Sequence, residues 1–191
     1  MSTVASAVND KKEQIRRAIA DALRDRVVGD NADQKREAIM MAPGPRWFSE
    51  DRPIHLIHTD ASMFIGGMRA LLLQSLHPLA MAGVAQHSDY RSDPWGRLQR
   101  TADFLAATSF GPAELAESTI ARIRAVHQKV VGTTTDGRPY AASDPHLLRW
   151  VHVAELDSFI AAHRAYGAQK LDDATYDAYV EDMAVIARKL G

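Results

Sequence analysis

The sequence predicts an all-α protein, a single multi-helix bundle, on three observations. Apolar residues recur at intervals of three and four through most of the longer segments, helix-start signals precede those segments, and no stretch sustains the alternation of a half-buried strand. In 10–29, Asp10 and Glu13 stand at capping-box spacing, and Ile15, Ile19, Ala22, Leu23 and Val27 form a stripe that stops at Gly29. A short helix is expected over 32–41. Pro43-Gly44-Pro45 then breaks the chain and divides an N-terminal helical arm, 1–44, from a main domain, 45–191.

Asp60 can cap a helix that starts at Ala61 and ends at the His77-Pro78 step, because proline disfavours helix in the residue before it. Pro78 opens a further segment to about Gln86. Asp93-Pro94 combines an N-cap with a first-turn proline for a helix through about Ser109, and Gly111-Pro112 restarts one to about Val131. The run 132–143, rich in threonine and holding Asp136-Gly137, is expected as a polar loop with the makings of a small hairpin. Asp144-Pro145 begins a helix through about Ala165. Asp172 or Asp173 caps the last, whose apolar stripe is Tyr176, Tyr179, Met183 and Ile186.

A chain of 191 residues that is 46% hydrophobic can bury a core without a covalent staple. Lys and Arg number 23 against 24 for Asp and Glu, which leaves no basic footprint for nucleic acid; Arg16, Arg17, Arg24 and Arg26 are a solvated helix face. The absence of cysteine excludes disulfides, thiolate nucleophiles, iron–sulfur clusters and thiolate-bound zinc, and fits a reducing cytoplasmic compartment. Residues 1–10 lack the apolar core of a signal peptide. The most apolar stretch, 61–85, is interrupted by Arg69, Gln74, His77 and Pro78, so a buried helix pair is expected there and not a membrane span; peripheral membrane contact stays open.

Phosphate-cradling glycine loops, the Gly-x-Ser-x-Gly elbow and the His-Glu-x-x-His zinc motif are all missing. A di-iron bundle needs Glu-x-x-His on two helices, and none of the 8 histidines has a glutamate three residues before it. His55 and His58 could bring two imidazoles together as a mononuclear iron or zinc site, although Pro53 and the surrounding apolar residues equally suggest an extended or irregular segment.

On a helix begun at Pro94, Arg97 and Thr101 share a face beside Trp95, Leu98, Ala102 and Leu105. A guanidinium and a hydroxyl on such a surface suit a carboxylate or a bound oxygen species; the plainer expectation is that Arg97 pairs with Asp93 or another acid. His127 follows Ile123 by four near a helix C-terminus, where an imidazole is either a satisfied core group or a ligand. His152 has Glu155 three residues on, within reach of a buried hydrogen bond. His77, before Pro78, can bond a carbonyl freed by the helix break, and Met63, Met68 and Met81 are expected as core filler.

Five stretches in series resemble the MpaB-type oxygenase family, which includes the latex-clearing rubber oxygenases: GGMRALLLQSLHPLAMAGV (66–84), HSDY (87–90), DPWGRLQRT (93–101), VHQKVVG (126–132) and WVHVAELDSF (150–159). The resemblance covers about 45–167 and implies a helical domain holding haem b, with dioxygen and a small hydrophobic or isoprenoid-like molecule as substrates. By motif the iron ligand falls on His127, and the arginine–threonine pair of the pocket, with catalytic roles, on Arg97 and Thr101. Arg100, His77 and His152 come next as residues beside the cofactor. Arg100 stands where rubber-cleaving relatives can carry a lysine; guanidinium is a poor iron ligand. Those relatives also use an upstream glutamate, whereas 79–85 holds no acid and Asp89 and Asp93 are the nearest. The family domain continues further than this chain, so 45–191 is expected to be C-terminally short. The rival expectation is a non-catalytic helical lipid- or ligand-binding protein that retains the fold.

Overall fold

The computed structural model describes residues 32–191 continuously, together with 11, 14, 15, 18, 21, 22, 26, 27 and 29. Most of the helix expected over 10–29 therefore lies outside the described residues. The rest forms eight helices and one hairpin: α1 (Ala32–Met40), α2 (Pro53–His58), α3 (Ser62–Leu76), α4 (Pro78–His87), α5 (Pro94–Phe110), α6 (Ala113–His127), β1 (Val131–Thr133), β2 (Pro139–Ala141), α7 (Pro145–Tyr166) and α8 (Asp173–Leu190).

The helix starts are chemical. Asp60, Asp93, Asp144 and Asp172 each accept a backbone N–H of the first turn, from Ser62, Gly96, His146 and Thr175, at 2.7–2.8 Å. These bonds satisfy donors that a helix leaves orphaned, each worth about 1 kcal/mol.

Two segments depart from expectation. Pro53–His58 is helical, not extended: Pro53 fits the first turn, and Asp182, distant in sequence, accepts the Ile54 N–H at 3.3 Å. The helix expected to reach Val131 ends at His127, and the chain turns into an antiparallel hairpin with Val131 opposite Ala141. Thr134 and Arg138 close the turn through paired bonds of 2.9 and 3.0 Å, with Gly137 at φ 84°.

The helices pack as two antiparallel pairs. In the first, α3 lies along α7, with Arg69 bonded to Ser158 at 2.8 Å and paired with Asp157, and the His77 ring against Trp150 at 4.4 Å. Gly66 permits the approach, since a Cβ there would lie 2.7 Å from the Phe159 ring and 3.1 Å from backbone atoms of α7. In the second, α5 and α6 fold back on each other through Gly111-Pro112.

Between the pairs sits α8 with α2, and the core centres on them: Ile54, Ile57, Ile120, Phe159, Tyr179, Met183 and Ile186 are all 3% exposed or less. Each such side chain contributes roughly 1.5–3 kcal/mol of burial energy. The expected stripe of α8, Tyr176 to Ile186, is this core. Arg52 and Asp182 tie α2 to α8, the guanidinium donating through Nε at 2.7 Å and also through Nη2.

The helix pair over 61–85 is less buried than expected. On α3 only Ser62 and Gly66 are fully buried, on α4 only Ala80, and Met68 is 57% exposed rather than core filler. No helix among the described residues is long and apolar enough to cross a membrane.

Candidate functional site

Arg97 and His127 each lie about four helical turns from the Gly111-Pro112 connection, one on either arm of the α5–α6 pair. The antiparallel fold therefore brings them to the same end of the molecule. Also at that end are α4 and the hairpin, held by Tyr140 Oη donating to Gln86 at 2.7 Å, by Gln86 Nε2 to the Thr133 carbonyl at 3.0 Å, and by His87 Nε2 to the Val131 carbonyl at 3.1 Å.

At this end α3 and α4 are apolar in composition, and the helices are thinly buried. Neither α3 nor α4, nor α5 before Ala107, nor α6 after Ile120, contributes a fully buried large apolar side chain. Close helix packing is concentrated within each pair and around α8, not between the two pairs. A surface depression of about 440 Å³ lies elsewhere, against α1, lined by Gln34, Glu37, Ala38, Met41 and Ala42.

His127 is half-buried, and its Nδ1 is buried with no hydrogen-bond partner. Burial lowers its pKa, so the neutral imidazole is favoured. It is thus not the satisfied core histidine that helical position alone suggests. An orphaned ring nitrogen inside a protein costs about 1–3 kcal/mol unless a ligand or ion meets the ring.

Arg97 does not make the expected ion pair. Its guanidinium donates to Gln74 Oε1 at 2.9 Å and to Ser88 Oγ at 3.4 Å, and Arg100 pairs with Asp93 instead, at 3.6 Å. The reason is directional. Arg97 points inward toward α3 and the end of α4, while Arg100, one helical turn on, is turned to solvent on the Asp93 side. Arg97 is therefore a half-buried cation with neutral partners, its pKa lowered first by burial and then by the charge of Arg100. Thr101 is exposed and donates to the Arg97 carbonyl at 3.2 Å, which leaves its hydroxyl oxygen free to accept.

The other histidines divide by occupation. His77 caps α4, accepting the Ala80 N–H at 3.3 Å; it bonds a freed donor, not the carbonyl expected of it. His152 and Glu155 both face inward on α7, but no hydrogen bond joins them. Burial lowers the His152 pKa and raises that of Glu155 to about 7. His58 spends both ring nitrogens, on Ser109 and on Tyr179, each at 2.8 Å, and burial drives its pKa to about 3. The His55–His58 pair therefore cannot offer two lone pairs to one metal ion. Among the described residues no group of three or more His, Asp or Glu side chains could hold one.

Gln74, a polar break in the apolar stretch, and Ser88, within HSDY, receive Arg97, and nothing in the sequence marked either as its partner. Glu155 was marked only as a neighbour of His152. Residues 55–191 match the family described as "ER-bound oxygenase mpaB/B'/Rubber oxygenase, catalytic domain". No curated protein and no solved structure matches the chain.

Proposed function

Because this chain belongs to the family of ER-bound oxygenase mpaB/B′ and rubber oxygenase catalytic domains, we propose that it binds haem b through His127 and oxidises a small hydrophobic or isoprenoid-like substrate with dioxygen. Three features support the fit of that group. His127 offers a neutral ring with an orphaned nitrogen, Arg97 is a half-buried cation without a carboxylate, and α3 and α4 beside them are apolar helices with few fully buried side chains.

His127 would supply the protein ligand and Arg97 the cation for an acidic substituent of the macrocycle. Haem, when bound, supplies the redox-active iron at which dioxygen chemistry takes place. The remaining work belongs to side chains. Arg97, fixed by Gln74 and Ser88, orients an anion; Thr101 presents a hydroxyl acceptor on the same face of α5. The apolar faces of α3 and α4 exclude water and receive a hydrophobic substrate. Glu155, with a pKa of about 7, can hold a proton on its carboxyl near neutral pH. Arg100 is engaged with Asp93, and His77 with α4 and Trp150, so both act by holding the frame. We assign the function to residues 45–191, without a nucleic-acid partner and in a reducing cytoplasmic setting.

The observation that carries the proposal is the partnerless Nδ1 of His127. Protein produced with haem supplied is expected to show a Soret band that His127→Ala removes and Arg97→Leu weakens. A wild-type chain with no such band, or a band untouched by His127→Ala, overturns the assignment; a haem-free chain that copurifies with a lipid favours the binding-protein alternative.

A further inference from the structure

The outer face of α3 is apolar, and among the described residues nothing covers it. Ile65, Met68, Leu72 and Leu76 follow one another at helical spacing and are 45%, 57%, 66% and 77% exposed. Val153 of α7, 53% exposed, extends the stripe across the α3–α7 seam, since it sits one turn before Asp157, the partner of Arg69 at the seam's edge.

The stripe is about 16 Å long. Its five side chains expose on the order of 400 Å² of apolar surface, at the upper end of what a monomer leaves uncovered. That is about half of the roughly 800 Å² per partner that a stable interface buries, close to the apolar share of such interfaces. Leu71 and Ser75 flank the stripe and widen it.

We infer that this face is where a second copy of the chain docks, α3 against α3 about a two-fold axis. Charge selects the occupant. From Ser62 to Leu76 the only charged residue is Arg69, and it is paired with Asp157. Two copies can therefore meet without burying a lone charge or opposing like charges. The Arg69–Asp157 pair carries both signs at one edge, so a two-fold contact can set each copy's cation toward the other's anion. A lipid surface is disfavoured, because the one cation beside the stripe, Arg69, is held by Asp157, and the stripe itself presents no Lys, Trp or Tyr to reach headgroups.

Sedimentation velocity across about 1–100 µM gives the first test. The wild-type chain is expected to sediment as two copies. Leu72→Glu enters the symmetric contact twice and should weaken association roughly a hundredfold, while Val180→Glu, at an exposed apolar site on α8, should leave it unchanged. The native chain has no cysteine, so Leu72→Cys under mild oxidation should give a covalent two-chain species that Val180→Cys does not. A wild-type chain that stays single throughout the range overturns the inference, as does an assembly indifferent to Leu72→Glu. Leu72-dependent co-sedimentation of a single chain with phosphatidylcholine vesicles overturns it in favour of lipid.

Discussion

Replacing Gly66 by alanine tests the packing that joins α3 to α7. In an unconstrained helix interior the change stabilises, by about 1 kcal/mol. Here the added Cβ would lie 2.7 Å from the Phe159 ring, 3.1 Å from the Phe159 Cα and 3.1 Å from the Ser158 carbonyl oxygen. The ring is hemmed in by His58, whose centroid is 5.6 Å away, and the other two atoms are backbone and cannot rotate aside. One helix must retreat, and overpacking of this kind costs about 1–3 kcal/mol. The retreat should outweigh the helix gain and leave a net loss of up to about 2 kcal/mol. For a chain of this size that lowers Tm by up to about 6 °C. Gly67 is the internal control, since a Cβ there meets nothing within 4 Å, and alanine should stabilise by up to about 1 kcal/mol. Urea denaturation followed by circular dichroism measures both. Shifts of the same sign for the two adjacent glycines would refute the reasoning.

Two further perturbations act on the interior. Asp182→Ala removes a carboxylate that is 3% exposed, leaves Arg52 with the Ala178 carbonyl as its acceptor and strips the Ile54 N–H of its side-chain acceptor. Because Arg52 retains partial access to water, the loss should fall near 3 kcal/mol, toward the low end for a broken buried pair; a urea midpoint within error of wild type would contradict it. Glu155 sets a pH dependence. Its folded pKa, about 7, lies above the ordinary 4.5, so the folded state binds the proton more tightly, and its contribution to stability is present below pH 4.5 and lost as pH rises through 7. The Glu155 contribution should fall by on the order of 3 kcal/mol across that window, and wild type should lose that much relative to Glu155→Gln. His58 acts oppositely, its contribution being present above pH 6.5 and lost as pH falls toward its folded value near 3. Parallel stability profiles for wild type and Glu155→Gln between pH 4.5 and 7 would remove the assignment.

What was legible in the sequence was local. Asp93, Asp144 and Asp172 announce their helices because the capping bond closes within three residues. The stripe of α8 was legible because periodicity alone selects a face. The helix at Pro53–His58 was not, because its cap is Asp182, at the other end of the chain. The hairpin was half legible: Asp136-Gly137 advertised a turn, but the grip of Gln86 and His87 on β1 comes from α4. The candidate site divides the same way. That Arg97 and Thr101 share a face follows from spacing, and the structure joins them through the Arg97 carbonyl. That Arg97 would choose Gln74 and Ser88 over Asp93 depends on how α3 and α4 sit beside α5, which no local pattern encodes.

The uneven filling of the bundle has a mechanical consequence. At the level of Tyr179 the helices are locked by interdigitated side chains, whereas at the His127 end a side-chain bond from Arg97 to Gln74 reaches from one pair to the other. A helix of the length of α7 runs about 33 Å, so a rotation of only two degrees about the locked end carries its far tip through about 1 Å. Displacements of that size can alter turnover a hundredfold. Substitutions in the core around Tyr179 should therefore change the spacing of the two pairs at the His127 end without touching any residue there.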